Sequence, residues 1–573
     1  MIILGIGFLS EATAAVIRDG KLVAAVSEER LNRIKQWYGY PEAAILEVLR
    51  LAKISIEDVD VVASHGLTAP EPDPAPFEAK RRIIEASDLD PESRKRALDF
   101  LDQRYQHEKR VYGQRTPNYL QAIRNLGRPV KLYGHHHAHA ATAFYGSGWP
   151  SCMVLTADGW GEDGSASLWT CDSTKPAAEA MKRLSATPTI DSLGYFYGSI
   201  THTMGFTPHR HEGKVLGLAA YCQDPKSYPT LRSMVGVDLE TKRFVGHMER
   251  GLYLPHFDNL RLRPLLQTYG REDLAAGAQK TLEEVMCSLI ADQGEAARNL
   301  AVAGGIFANV KLNQRFAALD NVEKLYVFPN MGDGGLSVGA AWLAYHELTG
   351  ESPQPSRSMY LGHSPDTAEI LEVLKPSGLK FRQRNDINDA VGELLADGKV
   401  VARCNGPMEF GPRALGNRSI LYKASEASVN QWLNTRLERS EFMPFAPATL
   451  AEGAADRFVN LEAGGDCSRF MTMTFDCTPL MRAEAPAAVH VDGTARPQVV
   501  HASDNPDLHA ILSAYRARSG SSSVINTSFN MHEEPIVCTA GDAVRAFVAA
   551  RLPYLALGDF LVENPNHAFS DVS

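Results

Sequence analysis

Pro129-Val130-Lys131-Leu132-Tyr133-Gly134-His135-His136-His137-Ala138-His139-Ala140 runs from a short apolar strand into a helix. Further on, Val154-Leu155-Thr156-Ala157-Asp158-Gly159 supplies the next buried strand, ending in an acidic turn. Strand, helix and strand in succession are the unit from which α/β layers are built. The same stretch carries chemistry. His135 and His139 are spaced to lie on one helix face, a turn apart, and neutral imidazoles at that spacing suit a divalent metal. A similar strand ending recurs in Leu325-Tyr326-Val327-Phe328-Pro329-Asn330-Met331-Gly332-Asp333-Gly334-Gly335. His135, His139, Asp158 and Asp333 are therefore expected to close one metal site. A lone histidine is more often a cap or a solvent-facing group, but a histidine cluster beside two Asp-Gly strand ends reverses that default. His136 and His137 point elsewhere on the helix.

Outward from this stretch, the chain opens as a hairpin: strands at 2–6 and 14–18, a turn at Asp19-Gly20, and a return strand at 21–26. A helix follows at about 41–51, with Pro in its first turn, then a strand at 59–64. Residues 76–126 are charged and helix-prone, as in an inserted cap, and their charge run reads as a solvated face. Strands and helices then alternate to residue 350: strands at 152–156, 166–171, 300–303 and 324–328, and helices near 272–297, 306–317 and 335–348. Gly350-Glu351-Ser352-Pro353-Gln354-Pro355-Ser356 reads as a linker. The expected organisation is two α/β blocks, 1–355 with its helical insert and 360–573.

A net charge of −10 disfavours nonspecific nucleic-acid or anionic-membrane binding. No apolar run approaches the roughly 18 to 20 residues that span a bilayer, and no signal-peptide layout opens the chain. The eight cysteines form no CxxC pair. A reducing, cytoplasmic location is expected.

Three glycine-rich strand ends accumulate: Asp158-Gly159-Trp160-Gly161, Gly304-Gly305 and Gly332-Asp333-Gly334-Gly335. Free N–H groups at such turns favour phosphate oxygens, and the acidic members suit metal-bridged phosphates. They suggest a nucleotide cleft. Gly159, Gly304, Gly305, Asn309 and Gly332 form the expected nucleotide set of the first block. Glu28-Glu29-Arg30-Leu31-Asn32-Arg33-Ile34-Lys35 reads as a helix start with ordinary charge pairs, or offers Lys35 to neutralise a leaving group. In the second block, Phe410-Gly411-Pro412-Arg413-Ala414-Leu415-Gly416-Asn417-Arg418-Ser419 sets two arginines among Gly and Pro, followed by Arg436, Arg439 and Arg496. Arginine matches planar oxyanions bidentately, so these positions are expected to bind an anion such as phosphate or carbamoyl phosphate.

On these motifs, together with Lys214-Val215-Leu216-Gly217-Leu218-Ala219, Asp492-Gly493-Thr494-Ala495-Arg496 and Asn526-Thr527-Ser528-Phe529-Asn530, the chain resembles the NodU/CmcH O-carbamoyltransferase family, which includes TobZ-type antibiotic-tailoring enzymes. The resemblance spans nearly the whole chain. It implies an N-terminal ASKHA (actin-like, TsaD-like) domain and a C-terminal YrdC-like domain. It implies that ATP, with Mg2+, and carbamoyl phosphate give carbamoyl adenylate, whose carbamoyl group passes to a hydroxyl of a small acceptor. It places iron at His135, His139, Asp158 and Asp333, an active-site lysine at Lys35, and the carbamoyl phosphate and ATP ligands at Arg413, Arg496, Asn526 and Ser528. It allows a homodimer. Two departures stand out. Ser10-Glu11 replaces the family's His-Asp, whose His is its general base, leaving Glu11 and His202, His209 and His211 to be considered. Met443 precedes Pro444 where the family has Arg, so Arg436 or Arg439 is left to supply that charge. Two alternatives stay open: a tRNA-modifying or protein-maturing carbamoyl enzyme, and a non-catalytic nucleotide-binding regulator.

Overall fold

The structure is a computed structural model and describes residues 1–8, 10–66, 71–114, 116–162, 164–250, 262–426, 428–437 and 443–567. Near-continuous apolar runs, buried on both faces, build β1 (Ile2–Gly7), β2 (Thr13–Arg18) and β3 (Lys21–Ser27). Asp19 and Gly20, at φ 49° and 76°, make the β2–β3 turn with the left-handed backbone that tight hairpins need. β4 (Val61–His65) joins β1 in parallel and β5 (Val130–Tyr133) joins β4 in parallel, so the sheet order is β3-β2-β1-β4-β5.

A second sheet repeats this plan. β6 (Ser151–Gly161), β7 (Gly164–Asp172) and β8 (Met181–Thr187) form an antiparallel meander. After a two-stranded ribbon of β9 (Val235–Asp238) and β10 (Arg243–Gly246), β11 (Asn299–Ala303) adds in parallel to β6, and β12 (Lys324–Val327) adds in parallel to β11. Read from the β8 edge, the order is β8-β7-β6-β11-β12. In each sheet the first three strands lie in reverse order and the last two follow on the far side of the first.

The helix that ends each repeat packs on the other repeat's sheet. Helix His135–Ser147, after β5, lies on β6 and β11; helix Leu336–Thr349, after β12, lies on β1 and β4. The two helices also pack on each other. The contacts are close enough to require glycine. A Cβ on Gly5 would sit 2.0 Å from the Ser337 carbonyl oxygen, and one on Gly339 would sit 2.0 Å from that of Ala138. Every residue from Leu336 to His346 is buried, so this helix is apolar around its whole circumference, as a core helix should be.

The insert is helical, with helices Ala75–Glu85, Pro91–Gln114 and Thr116–Arg124. Its charges are not simply a solvated face, contrary to the sequence expectation. Lys80 is buried and donates to Asp191 at 2.7 Å and to the Gly246 carbonyl at 2.9 Å. Arg104 pairs with buried Glu108 at 3.0 Å and donates to the Tyr195 hydroxyl at 3.2 Å. The helix expected near 272–297 runs instead as Leu262–Ala291, interrupted at Gly270, where φ is 83°.

An eight-stranded mixed sheet organises the C-terminal part. It contains β13 (Lys380–Gln383), β14 (Val401–Cys404), β15 (Arg418–Lys423), β16 (Ala446–Leu450), β19 (Gln498–Val500), β20 (Ser523–Ser528), β21 (Tyr554–Leu557) and β22 (Phe560–Glu563). Their order is β13-β22-β21-β14-β15-β20-β16-β19, with β17 (Phe475–Asp476) and β18 (Thr494–Ala495) paired separately. Helices Ile387–Ala396 and Pro506–Ser519 cover the sheet through Val391, Leu395, Leu508, Ile511 and Leu512.

The chain divides into two compact units. One comprises Met1–Phe8, Val16–Leu22 and Ser55–Pro355; the other comprises Leu9–Ala15, Val23–Ile54 and Ser356–Ser573. Residues 23–54, which the sequence places in its first block, belong with the second unit because their charged groups are satisfied there. Arg30 donates to the Gly411 carbonyl at 3.0 Å, and Arg33 donates to those of Pro535 and Ile536 at 2.7 and 2.8 Å.

Candidate functional site

In the first unit, His135 is the first residue of its helix, after Gly134 in an extended conformation, and His139 stands one turn on. Asp158 lies inside β6 rather than in a turn beyond it, as the sequence had suggested. The β6–β7 register breaks between Ala157 and Gly161, and that irregular stretch turns Asp158 toward the helix start. Asp333 opens the short 3-10 turn after β12.

These four groups converge, with their ligand atoms all within 4.8 Å of one another. Asp158 Oδ2 is 2.9 Å from His139 Nε2 and 3.2 Å from His135 Nε2. Asp333 Oδ1 is 3.5 Å from His139 Nε2 and 3.6 Å from His135 Nε2. The two Nε2 atoms are only 3.1 Å apart. The other Asp158 oxygen accepts the Gly305 N–H, which fixes the carboxylate. Both imidazoles and Asp158 are buried.

The electrostatics fit a divalent cation. Burial alone would lower the His135 imidazolium, but the Asp333, Asp158 and Glu162 carboxylates overcome it and push the pKa up to about 10. His139 is likewise raised against burial by Asp158 and Asp333. The Asp158 carboxyl is opposed by burial yet held well below its usual range by the two histidines. The two Nε2 atoms face each other beside two carboxylates, a donor set that suits a divalent cation. At about 2.1 Å from each ligand, a tetrahedral ion leaves ligand–ligand edges of roughly 3.4 Å, close to the separations here.

The neighbouring histidines are occupied elsewhere. His136 faces the Thr156 hydroxyl at 2.9 Å and the Gly164 carbonyl at 3.2 Å, and His137 stacks on Trp169. The glycine turns also differ from expectation. The Gly305 N–H is used by Asp158, and the Gly304 N–H donates to the Met331 carbonyl at 2.7 Å, so neither is open to a phosphate. Gly304 is required for packing, since at φ 116° its Cβ would lie 2.3 Å from the Ala157 carbonyl oxygen. Asn309 caps helix Val310–Ala317 and pairs its amide with Gln279. Gly159 accepts the Ser192 hydroxyl through its carbonyl, and Gly332 precedes Asp333 in extended backbone.

In the second unit, Ser10, Glu11 and Lys35 are half-buried, with Glu11 at φ 50°. Arg413 is half-buried on a loop shaped by Glu409, whose Oε1 accepts the N–H groups of Leu415, Asn417 and Arg418. Arg418 is not an anion ligand, and the sequence expectation is corrected here. It is fully buried, with Nε donating to Cys538, Nη1 to Asn405, Gly406 and Asn417, and Nη2 to His363, all through main-chain carbonyls. Arg496 lines a small cleft with Met443, Ala446, Thr474 and His490. Asn526 sits opposite Ala446 across β16 and β20 and donates to Gln498 at 2.7 Å, and Ser528 ends β20. Arg436 places its guanidinium over Trp432, 5.8 Å from the ring centre. Arg439 lies outside the described residues.

Sequence reasoning missed Glu409, Glu162 and His65. Glu409 adjoins the Gly-Pro-Arg motif, and Glu162 sits in an acidic turn after Gly161, so each had a local signal. His65, at the end of β4, had none.

The family descriptions Carbamoyltransferase N-terminus and Carbamoyltransferase C-terminus match residues 2–342 and 392–564. The chain belongs to the carbamoyltransferase family. Nodulation protein NolNO of Sinorhizobium fredii (strain NBRC 101917 / NGR234) is 30% identical over 97% of this chain and 79% of its own length. The 3'-hydroxymethylcephem-O-carbamoyltransferase of Amycolatopsis lactamdurans is 30% identical over 45% of this chain and 48% of its own. With nodulation protein U also similar, this is the NodU/CmcH family. The protein is accordingly an enzyme, a carbamoyltransferase. A solved structure, full-length HypF in the phosphate- and nucleotide-bound form, aligns at a TM-score of 0.32 and 15% identity. That alignment covers 61% of this chain and 46% of HypF. Among the described residues, no helix of this carbamoyltransferase is long and apolar enough to cross a membrane.

Proposed function

We propose that this carbamoyltransferase is an ATP-dependent O-carbamoyltransferase acting on a hydroxyl of a small metabolite, a natural product in class. Residues 360–573 form a YrdC-like adenylate-forming domain in this proposal, and residues 1–355 an actin-like, TsaD-like transfer domain. The strand order used twice, with end helices exchanged between sheets, supports the actin-like assignment. The observation that carries the proposal is the convergence of His135, His139, Asp158 and Asp333 in a chain whose family transfers carbamoyl groups.

Water hydrolyses carbamoyl phosphate to carbamate and phosphate. A carbamate oxygen then attacks the α-phosphorus of ATP, brought with Mg2+, and pyrophosphate leaves. Arg496, in its cleft, and Arg413 neutralise the anionic groups of this step, with Asn526 and Ser528 beside them. The acceptor oxygen next bonds to the carbamoyl carbon of the adenylate, and AMP departs. Lys35 balances charge on that leaving group. Ser10 is a poor base at neutral pH, so Glu11 is assigned to take the acceptor proton. His135, His139, Asp158 and Asp333 would hold a divalent ion, with Fe2+ the family's metal. Bound there, it supplies Lewis-acid stabilisation to a phosphate oxygen. His135, His139 and Asp158 fix the polar end of the site in a buried, water-poor setting, with Asp333 at its more open side.

The test is pyrophosphate release from ATP and Mg2+ by the purified enzyme. Release that requires carbamoyl phosphate and vanishes in Arg413→Ala supports the proposal. Release that ignores carbamoyl phosphate, or none, overturns the adenylate step.

A further inference from the structure

We infer that Glu162 is a positioning residue that holds the His135 imidazole in its metal-ligating orientation, with His65 walling the opposite side of the ring. The inference rests on the metal reading of His135, His139, Asp158 and Asp333. Its evidence lies in the other edge of the ring.

Glu162 comes from the tip of the β6–β7 hairpin, one residue beyond β6. Its side chain is only 6% exposed. One carboxylate oxygen accepts the His135 main-chain N–H at 2.8 Å, and the other lies 3.8 Å from His135 Nδ1. Gly134, at the helix N-cap, has no side chain to cap with, so Glu162 fills that role from a different element. The same carboxylate thus holds the backbone N–H of His135 and faces the outer nitrogen of its ring as an ion-pair partner. His135 Nε2 is left for the ion.

A ligating histidine ordinarily gives its second ring nitrogen to a carboxylate or carbonyl, which fixes its tautomer and raises its basicity. Glu162 is placed to do this for His135. The hairpin also couples the two functions of β6. Its irregular stretch carries Asp158, and its tip carries Glu162, so one short segment delivers a ligand and the brace of another ligand.

His65 closes the remaining side. It ends β4, is buried, and stacks on Phe8 with ring centres 4.8 Å apart. Its Nε2 engages the Phe8 main chain at 3.1 and 3.3 Å. Its ring meets that of His135 edge-on, 5.7 Å between centres and 85° between planes. Rotation of the His135 ring is therefore blocked by His65 and opposed by Glu162.

Geometry also allows a rival. His65, His135 and Glu162 present ligand atoms within 4.8 Å of one another and could hold an ion themselves. The close Glu162 contact to the His135 main-chain N–H favours the brace, because that oxygen is then aimed at a peptide donor.

The test titrates the metal-stripped, full-length protein with Zn2+ against a chromogenic chelator. Wild type is expected to bind one equivalent, and Glu162→Gln the same equivalent about 10- to 100-fold more weakly. Because the Gln carbonyl still accepts the His135 N–H, the metal-free melting temperature should not change, which separates ring positioning from helix capping. If Glu162→Gln does not yield folded protein, Glu162→Asp shortens the reach and carries the same expectation. Affinity unchanged in the variant overturns the positioning role while leaving the metal site intact. A second equivalent in wild type, lost in both Glu162→Gln and His65→Phe, overturns it in favour of a second ion site. No binding in wild type, with His139→Ala indistinguishable from it, overturns the metal reading and the brace together.

Discussion

The β1–β5 and β6–β12 sheets share one strand order but carry different groups at matching places. The turn after β1 carries Ser10-Glu11, while the end of β6 carries Asp158. The fourth strand ends in His65 in the first sheet and in Gly304 beyond Ala303 in the second. The helix after β5 begins at His135, and the helical turn after β12 begins at Asp333. Three of the four proposed ligands thus occupy strand or helix ends that the repeat makes equivalent in kind. The fold supplies addresses through strand order, and the residues at those addresses decide the chemistry. Glycine at the fourth-strand end of one sheet lets the Ala157 backbone approach; histidine at the same end of the other walls the site.

The comparison breaks most sharply at the C-terminal ends of the first strands. Asp158→Ala removes the carboxylate shared by both imidazoles, and carbamoyl transfer should fall by about 10³-fold, roughly 4 kcal/mol in barrier. His139→Ala should do the same, and both variants should lose bound metal by elemental analysis. Ser10→Ala should change transfer by no more than about twofold, because a serine there is no base to lose. Equal losses at Asp158 and Ser10 would mean that the two positions serve one chemical role.

The exchanged helices give the next largest effect. Gly339→Val forces a side chain against the Ala138 carbonyl, with no flexible neighbour to move. Destabilisation of at least about 3 kcal/mol is expected in urea unfolding. Gly5→Val should behave alike, since it makes the mirror contact with Ser337. If one substitution is tolerated and the other not, the two repeats are not packed to the same tolerance.

The next variant tests the second unit, whose eight-stranded sheet has a different strand order. Arg418→Met strips main-chain carbonyls of a buried donor and should cost about 2–4 kcal/mol in stability. Any loss of pyrophosphate release should follow that unfolding rather than a weaker affinity for carbamoyl phosphate. A variant with wild-type stability but weaker carbamoyl phosphate binding would return Arg418 to the anion site.

The alternation of strands and helices was legible because each apolar run is local and bounded by Gly, Pro or Asp. The gathering of two His and two Asp was legible because the histidines sit in the first turns of a helix and each Asp precedes or follows a glycine near a strand end. What stayed hidden depended on partners distant in the chain. β6 continues through Asp158 because β7 resumes pairing at Gly161, and a bulge leaves no signature in one strand alone. Arg418 reads as a ligand because arginine is seldom fully buried, and only the surrounding carbonyls reveal otherwise. Lys80 and Arg104 read as solvated for the same reason. Residues 23–54 read as part of the first block because sequence order is all that a chain displays. The grouping of Arg33 with Pro535 and Ile536 exists only in three dimensions.

The smallest expected effect sharpens that last point. The link between β3 and β4 contains helix Glu42–Ala52, whose Glu47 lies 2.7 Å from Arg50 and 3.3 Å from His363. Burial opposes the Glu47 charge, but hydrogen bonds from Arg50 and His363 win and bring its pKa from 4.5 down to about 2. The folded value is depressed, so the stabilisation is present above about pH 4.5 and is lost as pH falls toward 2. His363 is raised from 6.5 chiefly by Glu47, against burial and with help from Glu369, so its share is full below 6.5 and fades as pH climbs through its folded value. The cluster is therefore strongest between these limits. After discounting for solvent screening, Glu47→Gln should cost about 1 kcal/mol near pH 6. The gap from wild type in urea unfolding should narrow at pH 3.5 and again in alkali. A gap that holds constant across this range would mean that the helix is tied to the second unit by packing alone, and that its charges are incidental to where residues 23–54 belong.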